Sequence, residues 1–391
     1  MAAQDKQPFR VLTLDGGGMR GMYQAAYLHT FAHRIIGARQ GEAPDHGSTR
    51  IDIGKCFDLI AGTSTGSIVA AALALHVPMD KVMQLYRDYG KKIFPHQWMR
   101  ANSLLQYIPR AFGLGLSSGD QSLREALTEA FGKITLGENY HHRKIAMVVP
   151  SVDLNRNKPV VFKTPHLSRL NDRDGQRTFV DICRASTAAP ILRSIAKLSE
   201  AKYGLGNELE KSEIFAYYTD GGLWANNPAL LALCEAREIL AERKQQERPI
   251  HLFMLGALSI QGGEELGSKS NLNRSAIGWQ VGIKALGASL DAQSYGYDYM
   301  ASKLAKLLSK DNFAHRLESQ CPPKGLIQYL LNMDDAREKV LAALCRQAIA
   351  DVDLGWSKSE TPENPMHHFR QALDADHSSL PSPGCTWDPP P

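Results

Sequence analysis

The chain predicts an α/β fold with a mainly parallel central sheet, because it twice shows a strand running through a glycine-rich turn directly into a helix. Phe9-Arg10-Val11-Leu12-Thr13-Leu14 leads through Asp15-Gly16-Gly17-Gly18-Met19-Arg20-Gly21 into apolar residues at helical spacing, Met22, Ala25, Ala26, Leu28, Phe31, Ala32 and Ile35. Phe57 to Ala61 is a second short apolar run, and Ser67 to Leu75 is an alanine-rich helical run. Two later strands, Ile214–Tyr218 and Ile250–Leu255, fit the same sheet.

The first loop holds no nucleophile. Three consecutive glycines offer bare backbone amides at the mouth of a helix, suited to holding an anion. In a serine hydrolase such amides hold the oxyanion, each worth about 3 kcal/mol of transition-state stabilisation. Arg20 adds a fixed positive charge beside Gly16, Gly17 and Gly18. Gly16-x-Gly18-x-x-Gly21 also matches a dinucleotide fingerprint. That fingerprint needs an acid about twenty residues on, and the region around Glu42 reads as a polar loop from Gly37. No Gly-Lys-Ser/Thr follows, as a P-loop would require.

The second turn is Gly62-Thr63-Ser64-Thr65-Gly66, the G-x-S-x-G elbow that pushes a serine hydroxyl clear of the sheet. Gly62 and Gly66 supply the small neighbours that the sharp turn demands. The following helix aims its positive dipole end at Ser64, the candidate nucleophile.

The third turn, Thr219-Asp220-Gly221-Gly222, follows the strand that ends near Tyr218. Asp220 is thereby expected just past a strand end, converging with Ser64 on the carboxyl edge of a parallel sheet. Asn227-Pro228 is a helix start. A conventional triad esterase acting on soluble esters is also open, since Ser64, Asp220 and His251 run in α/β-hydrolase order, although His251 opens a buried strand pattern. A binding protein that holds a nucleotide on the glycine loop, with Ser64 inert, is a further reading. Adjacent pairs His141-His142 and His367-His368 lack the spacing of a helical metal site, and there is no EF-hand loop; no metal or cofactor is expected.

Together these motifs resemble the patatin-like phospholipase family, with Arg184-Ala185-Ser186-Thr187-Ala188-Ala189-Pro190 matching its small-residue segment. The resemblance covers roughly residues 8 to 260. It implies a three-layer sandwich that hydrolyses fatty-acyl esters of lipids through a Ser64–Asp220 dyad, with Gly16 to Gly18 and Arg20 as the oxyanion site. Where the family shows Gly-Thr-Gly, this chain has Gly256-Ala257-Leu258. Some bacterial enzymes resembling it are antiphage effectors switched on by a cyclic oligonucleotide, which implies a cyclic dinucleotide activator. Arg274, Trp279, Tyr295, Tyr297 and Tyr299 have the chemistry to stack purines and hold phosphates, or form an ordinary aromatic helix face.

With 391 residues, the chain is divided into a catalytic domain over 8–260, a mostly helical region over 261–377 packed on it, and a Pro/Ser-rich tail over 378–391. Forty-five basic against 41 acidic residues are too balanced for a nucleic-acid partner. Six scattered cysteines read as free buried thiols in a reducing cytoplasm. No signal peptide or membrane span is expected, so the predicted setting is cytoplasmic with peripheral contact on the inner membrane. That contact is expected over 89–119, which holds no acid and interleaves Lys91, Lys92, Arg100 and Arg110 with aromatic and aliphatic residues. Glycines 113, 115 and 119 would let it move as a lid; a packed core helix and loop is the alternative.

Overall fold

The computed structural model describes residues 7–40, 51–95, 113–200, 215–258, 272–275, 278–279, 282–323, 327 and 332–375. The first strand, β1 (Phe9–Leu14), enters the glycine loop and then α1 (Gly21–Gln40). The second unit is β2 (Leu59–Gly62) and α2 (Thr65–Ala74), followed by α3 (Met79–Ile93), α4 (Leu116–Phe131) and α5 (Leu136–Arg143). Then come β3 (Ala146–Asp153), β4 (Lys158–Lys163), α6 (Phe179–Ser186), β5 (Ala196–Ser199) and β6 (Phe215–Asp220). A helical turn, Gly222–Ala225, leads into α7 (Ala229–Glu242) and β7 (Ile250–Leu255). The chain closes with α8 (Ile283–Leu308), β8 (Phe313–Arg316), α9 (Glu338–Lys358) and α10 (Pro365–Asp374).

The eight strands among the described residues form one sheet, in which β3–β2–β1–β7–β8 run parallel with β8 at the edge. Alternate residues of each strand enter opposite cores, which is why these strands read as almost unbroken apolar runs. Leu12, Leu14, Phe253 and Leu255 face a layer holding α1, α2, α9 and α10. Phe9, Val11, Leu252 and Met254 face α7 and the buried Ala301 and Ala305 of α8. β8 lies in the C-terminal region, so that region contributes a strand to the sheet as well as helices around it.

Three expectations need correction. The polar stretch from Gly37 is helical to Gln40, because Arg34 and Arg39 pair with Asp353 and Asp374 of α9 and α10. Asp220 is the last residue of its strand, and that strand is antiparallel to β3. Of the described cysteines only Cys56 and Cys183 are buried; Cys234 and Cys321 are exposed. Cys234 falls on the solvent side of α7, whose buried face is Ala232, Leu233 and Ala236. Most of the expected membrane segment, 96–112, lies outside the described residues, as do the tail beyond 375 and most of the polar linker after Leu258.

The antiparallel β6 decides how the site is assembled. The edge of β3 opposite β4 takes β2 along Ala146–Val148 and then β6 along Ser151–Asp153, since β4 already pairs with Val148 to Asp153. The two strands therefore meet carboxyl end to carboxyl end beside β3, bringing the residues after Gly62 level with Asp220.

Candidate active site

Ser64 occupies the N-cap position of α2 with φ 52° and ψ −127°, a left-handed conformation that a non-glycine residue adopts only when its surroundings impose it. The imposing contacts are visible. A Cβ on Gly62 would lie 2.4 Å from the Gly66 carbonyl oxygen, and one on Gly66 would lie 2.3 Å from that of Leu14. The Ser64 N–H donates to Ser186 Oγ at 2.9 Å, and that hydroxyl donates to the Pro150 carbonyl at 2.7 Å. Ser186 belongs to the small-residue segment singled out in the sequence, and the reason for its presence is this bond.

The Ser64 hydroxyl donates to Asp220 Oδ2 at 2.7 Å. Asp220 Oδ1 accepts the Gly222 N–H at 2.7 Å, so the turn after the strand fixes the carboxylate's orientation. Asp220 is only 6% exposed. Burial pushes its pKa up to about 6, against the opposing pull of Ser64, the Gly222 amide and the Arg193 charge. A carboxylate with that pKa is a better proton acceptor near neutrality than a solvated one.

His251 does not join them. It is the second residue of β7, paired with Arg10 at the amino end of β1, while Leu14 and Leu255 mark the end nearest Ser64. Four residues of strand separate it from that end, about 13 Å. Its ring stacks on Phe313 and tilts against His368, and burial lowers its pKa to about 4. It is a core histidine.

The glycine loop lies against the dyad. A Cβ on Gly16 would sit 3.1 Å from Ser64 Cβ and 2.4 Å from Asn226 Oδ1. The Gly16 N–H already donates to the Asn226 carbonyl at 3.0 Å, and the Met19 N–H to that of Met333 at 2.6 Å. The Gly17 and Gly18 amides have no acceptor among the described residues, and both glycines line the pocket that contains Ser64. Gly18 has φ +60°, and a Cβ there would meet the Met333 carbonyl at 2.2 Å. Gly17 abuts Ala257, which stands in the variant Gly256-Ala257-Leu258 turn. Arg20 is buried; its Nε donates to the Gly17 carbonyl at 3.3 Å, and Asp291 is its charge partner across the gap. It thus braces the loop from behind.

Several contributors were not apparent from the sequence. Thr65 is the first residue of α2, so its N–H has no acceptor within the helix, and it lines the same pocket. The elbow pattern itself points to this amide. Behind the loop, Arg316 donates to Asp15 Oδ2 and to Asp298 Oδ2, each at 2.9 Å. α8 also grips the Asp220 turn: Gln293 accepts the Asn226 N–H, Ser294 accepts from the Asn226 side chain, and Tyr297 donates to the Trp224 carbonyl. Of the aromatic candidates for nucleotide stacking, Tyr297 is thereby structural, Tyr295 and Tyr299 are exposed, and Arg274 lies over Trp279 at 5.1 Å.

Above Ser64 lies a narrow pocket of about 80 Å³, walled by Ile68, Leu123, Leu192, Leu223, Leu286 and Leu290. Walls of this kind accommodate an alkyl chain. Among the described residues no group of histidine, cysteine and acidic side chains could hold a metal ion, and no helix is long and apolar enough to cross a membrane.

Comparison with known proteins gives the same ordering of motifs a wider context. The cGAMP-activated phospholipase of Escherichia coli is 30% identical over 259 residues, covering 66% of this chain and 64% of that protein. The cGAMP-activated phospholipase of Pseudomonas aeruginosa is 29% identical over 292 residues, covering 75% and 74%. That of Vibrio cholerae is 30% identical over 232 residues, covering 59% and 58%. The chain thus spans less than two thirds of the length of the first and third of these relatives. The family model described as patatin-like phospholipase matches residues 12–233, from the middle of β1 into α7. A match over more than half of the chain, carrying the elbow, the glycine loop and the Asp-Gly-Gly turn in order, places this protein in the patatin-like phospholipase family.

Proposed function

We propose that the protein is a serine acyl hydrolase that cleaves fatty-acyl esters of membrane phospholipids. The observation that carries this is the 2.7 Å hydrogen bond from Ser64 Oγ to the buried Asp220 carboxylate, at the base of an apolar pocket. In the first step Ser64 Oγ attacks the ester carbonyl carbon while Asp220 Oδ2 takes the hydroxyl proton. Negative charge moves to the carbonyl oxygen, where the amides of Gly17 and Gly18, and of Thr65 at the start of α2, are available as donors. The ester C–O bond then breaks, and the leaving alkoxide takes the proton from Asp220. A water molecule next attacks the acyl-serine with Asp220 again as base, and the fatty acid departs as Ser64 is restored.

The acyl chain fits the aliphatic walls, and the lysolipid product leaves toward the pocket mouth. Ile93 and Phe94, at the start of the acid-free stretch, stand at this pocket. Their position supports a peripheral membrane contact through 89–119 on the membrane's cytoplasmic face. The names of the three bacterial relatives support a further reading, in which a cyclic dinucleotide switches this chain on and lipid degradation serves antiphage defence.

The test is fatty-acid release from phospholipid vesicles by the wild type, Ser64→Ala, Asp220→Ala and His251→Ala, each with and without cGAMP. Loss in the first two variants with retention in the third supports the dyad. Equal rates with and without cGAMP would remove the activation reading and leave the hydrolase reading in place. No release by the wild type under either condition would overturn the substrate assignment.

A further inference from the structure

Arg193 is an unusual wall for an apolar pocket. It lines the same cavity as Ser64 and Asp220, yet it is only 7% exposed. Its buried Nε–H has no acceptor among the described residues. Its ion pair among the described residues, from Nη2 to Asp120 Oδ1, is long at 3.5 Å. Asp120 is held more closely by Arg184, at 2.7 Å from the other carboxylate oxygen. Among the described residues, two guanidinium groups therefore share the one Asp120 carboxylate. Asp220, the remaining acid whose charge acts on Arg193, bonds instead to Ser64 and Gly222.

The backbone holds Arg193 there deliberately. Ile191, two residues earlier, has φ +69°, a conformation that a β-branched residue adopts only at a steric cost. The Leu192 and Arg193 N–H groups both donate to the Ala189 carbonyl, at 3.2 and 2.9 Å, closing a tight turn that brings both side chains to the pocket. The guanidinium carbon lies 6.0 Å from the centre of the Phe94 ring, which also lines the pocket. A buried donor without an acceptor is costly, and its persistence is explained when a ligand completes it.

We propose that Arg193 binds the phosphodiester of the substrate lipid, and so selects phospholipids over neutral acyl esters. The inference rests on the acyl-hydrolase reading for its substrate. In a glycerophospholipid the phosphate is separated from a scissile ester by only a few bonds, so one molecule can place its carbonyl at Ser64 and its phosphate at the wall. A guanidinium suits phosphate through its paired N–H groups. Burial lowers the Arg193 pKa to about 10, which leaves it a cation at neutral pH.

The experiment compares binding of hexadecylphosphocholine with binding of a neutral hexadecyl glycerol ether, measured by calorimetry on the full chain of the wild type, Arg193→Met and Arg193→Lys. Neither probe can be hydrolysed, so the outcome is independent of whether the enzyme is active. Expected is a wild-type preference for the phosphate amphiphile that falls about tenfold or more in Arg193→Met and less in Arg193→Lys. A wild type that binds both amphiphiles equally would overturn the proposal. So would a preference that survives unchanged in a folded Arg193→Met. Should that variant fail to fold, the Arg193→Lys preference decides, since an unchanged value there with a weak wild-type preference speaks against phosphate contact. Failure of the acyl-hydrolase reading would show instead as intact binding selectivity without hydrolysis of any lipid.

Discussion

Asp220 and Ser151 lie directly opposite each other across an antiparallel pair, and that register brings the Asp220 carboxylate toward Ser64 from the reverse direction to the strand that precedes Ser64. The first three residues of β3 carry β2, and its last three carry β6. A shift of β6 by one residue would turn Asp220 to the other face of the sheet. The geometry of the proposed dyad is thus fixed by backbone pairing, and side-chain substitution at Asp220 should test chemistry rather than fold.

Replacing Ser64 with alanine is expected to lower hydrolysis of a chromogenic acyl ester by at least about a thousandfold, and Asp220→Asn by about a hundredfold or more. His251→Ala should retain turnover, because the ring packs at the far end of the sheet. Steady-state rates on folded variants decide this, and a dead His251→Ala would reinstate the triad.

The pH profile follows from the burial of Asp220. With a pKa of about 6, the carboxylate is the active form above that value. The expected kcat/KM rises with unit slope as pH climbs through about 6 and levels off toward neutrality. A rise centred near 4 would mean that the side chain is solvated in the working enzyme.

The same shift has a stability consequence of definite sign. The folded pKa exceeds the unfolded value of 3.8, so the favourable contribution of Asp220 is complete below about pH 4 and is lost as pH rises through 6. At pH 7.5 Asp220→Asn should therefore be more stable than wild type, by on the order of 3 kcal/mol, with the gap closing near pH 4. Chemical denaturation at the two pH values measures it.

Gly66→Ala should be among the most damaging single-methyl changes. The added Cβ would lie 2.3 Å from the Leu14 carbonyl oxygen and 2.8 Å from that of Asp15, both backbone atoms at the end of β1. A loss of about 2 kcal/mol or more is expected, together with activity, as the elbow and the glycine loop are forced apart. A thermal midpoint equal to wild type would refute this.

Arg316→Met removes the partner of Asp15, which is 4% exposed, and of Asp298. Stability should fall by about 3 kcal/mol. The loss should be larger at pH 8 than at pH 5, because burial already raises the Asp15 pKa and only Arg316 holds it down appreciably. Equal losses at the two pH values would show that Asp15 does not change its protonation between them.

What could be read from the chain was local. Ser64 with Gly62 and Gly66 declares itself within five residues, and Gly16 to Gly18 within three, because the constraint is a turn followed by a helix. Asp220 could be named from Asp-Gly-Gly, but the direction of its strand could not, since antiparallel register is decided by pairing with β3 and leaves no local pattern. Asp15 and Arg316 lie 301 positions apart in sequence and meet only in the fold. Arg193 follows a recognisable small-residue segment, yet only the backbone turn at Ile191 and the shared Asp120 give it meaning. The helical extension to Gln40 was hidden likewise, because the pairs that sustain it come from the last helices of the chain.

One helix contacts both halves of the proposed catalytic apparatus. α8 reaches the glycine loop through Asp298, which accepts from Arg316 as Arg316 donates to Asp15, and it sets the Asp291 charge near Arg20. It reaches the Asp220 turn through Gln293, Ser294 and Tyr297. Displacing it would misalign the proposed proton acceptor and oxyanion donors at once, and independent penalties on a rate multiply. A tenfold loss at each would appear as a hundredfold loss in turnover, so a modest movement of a single rod becomes an all-or-nothing response.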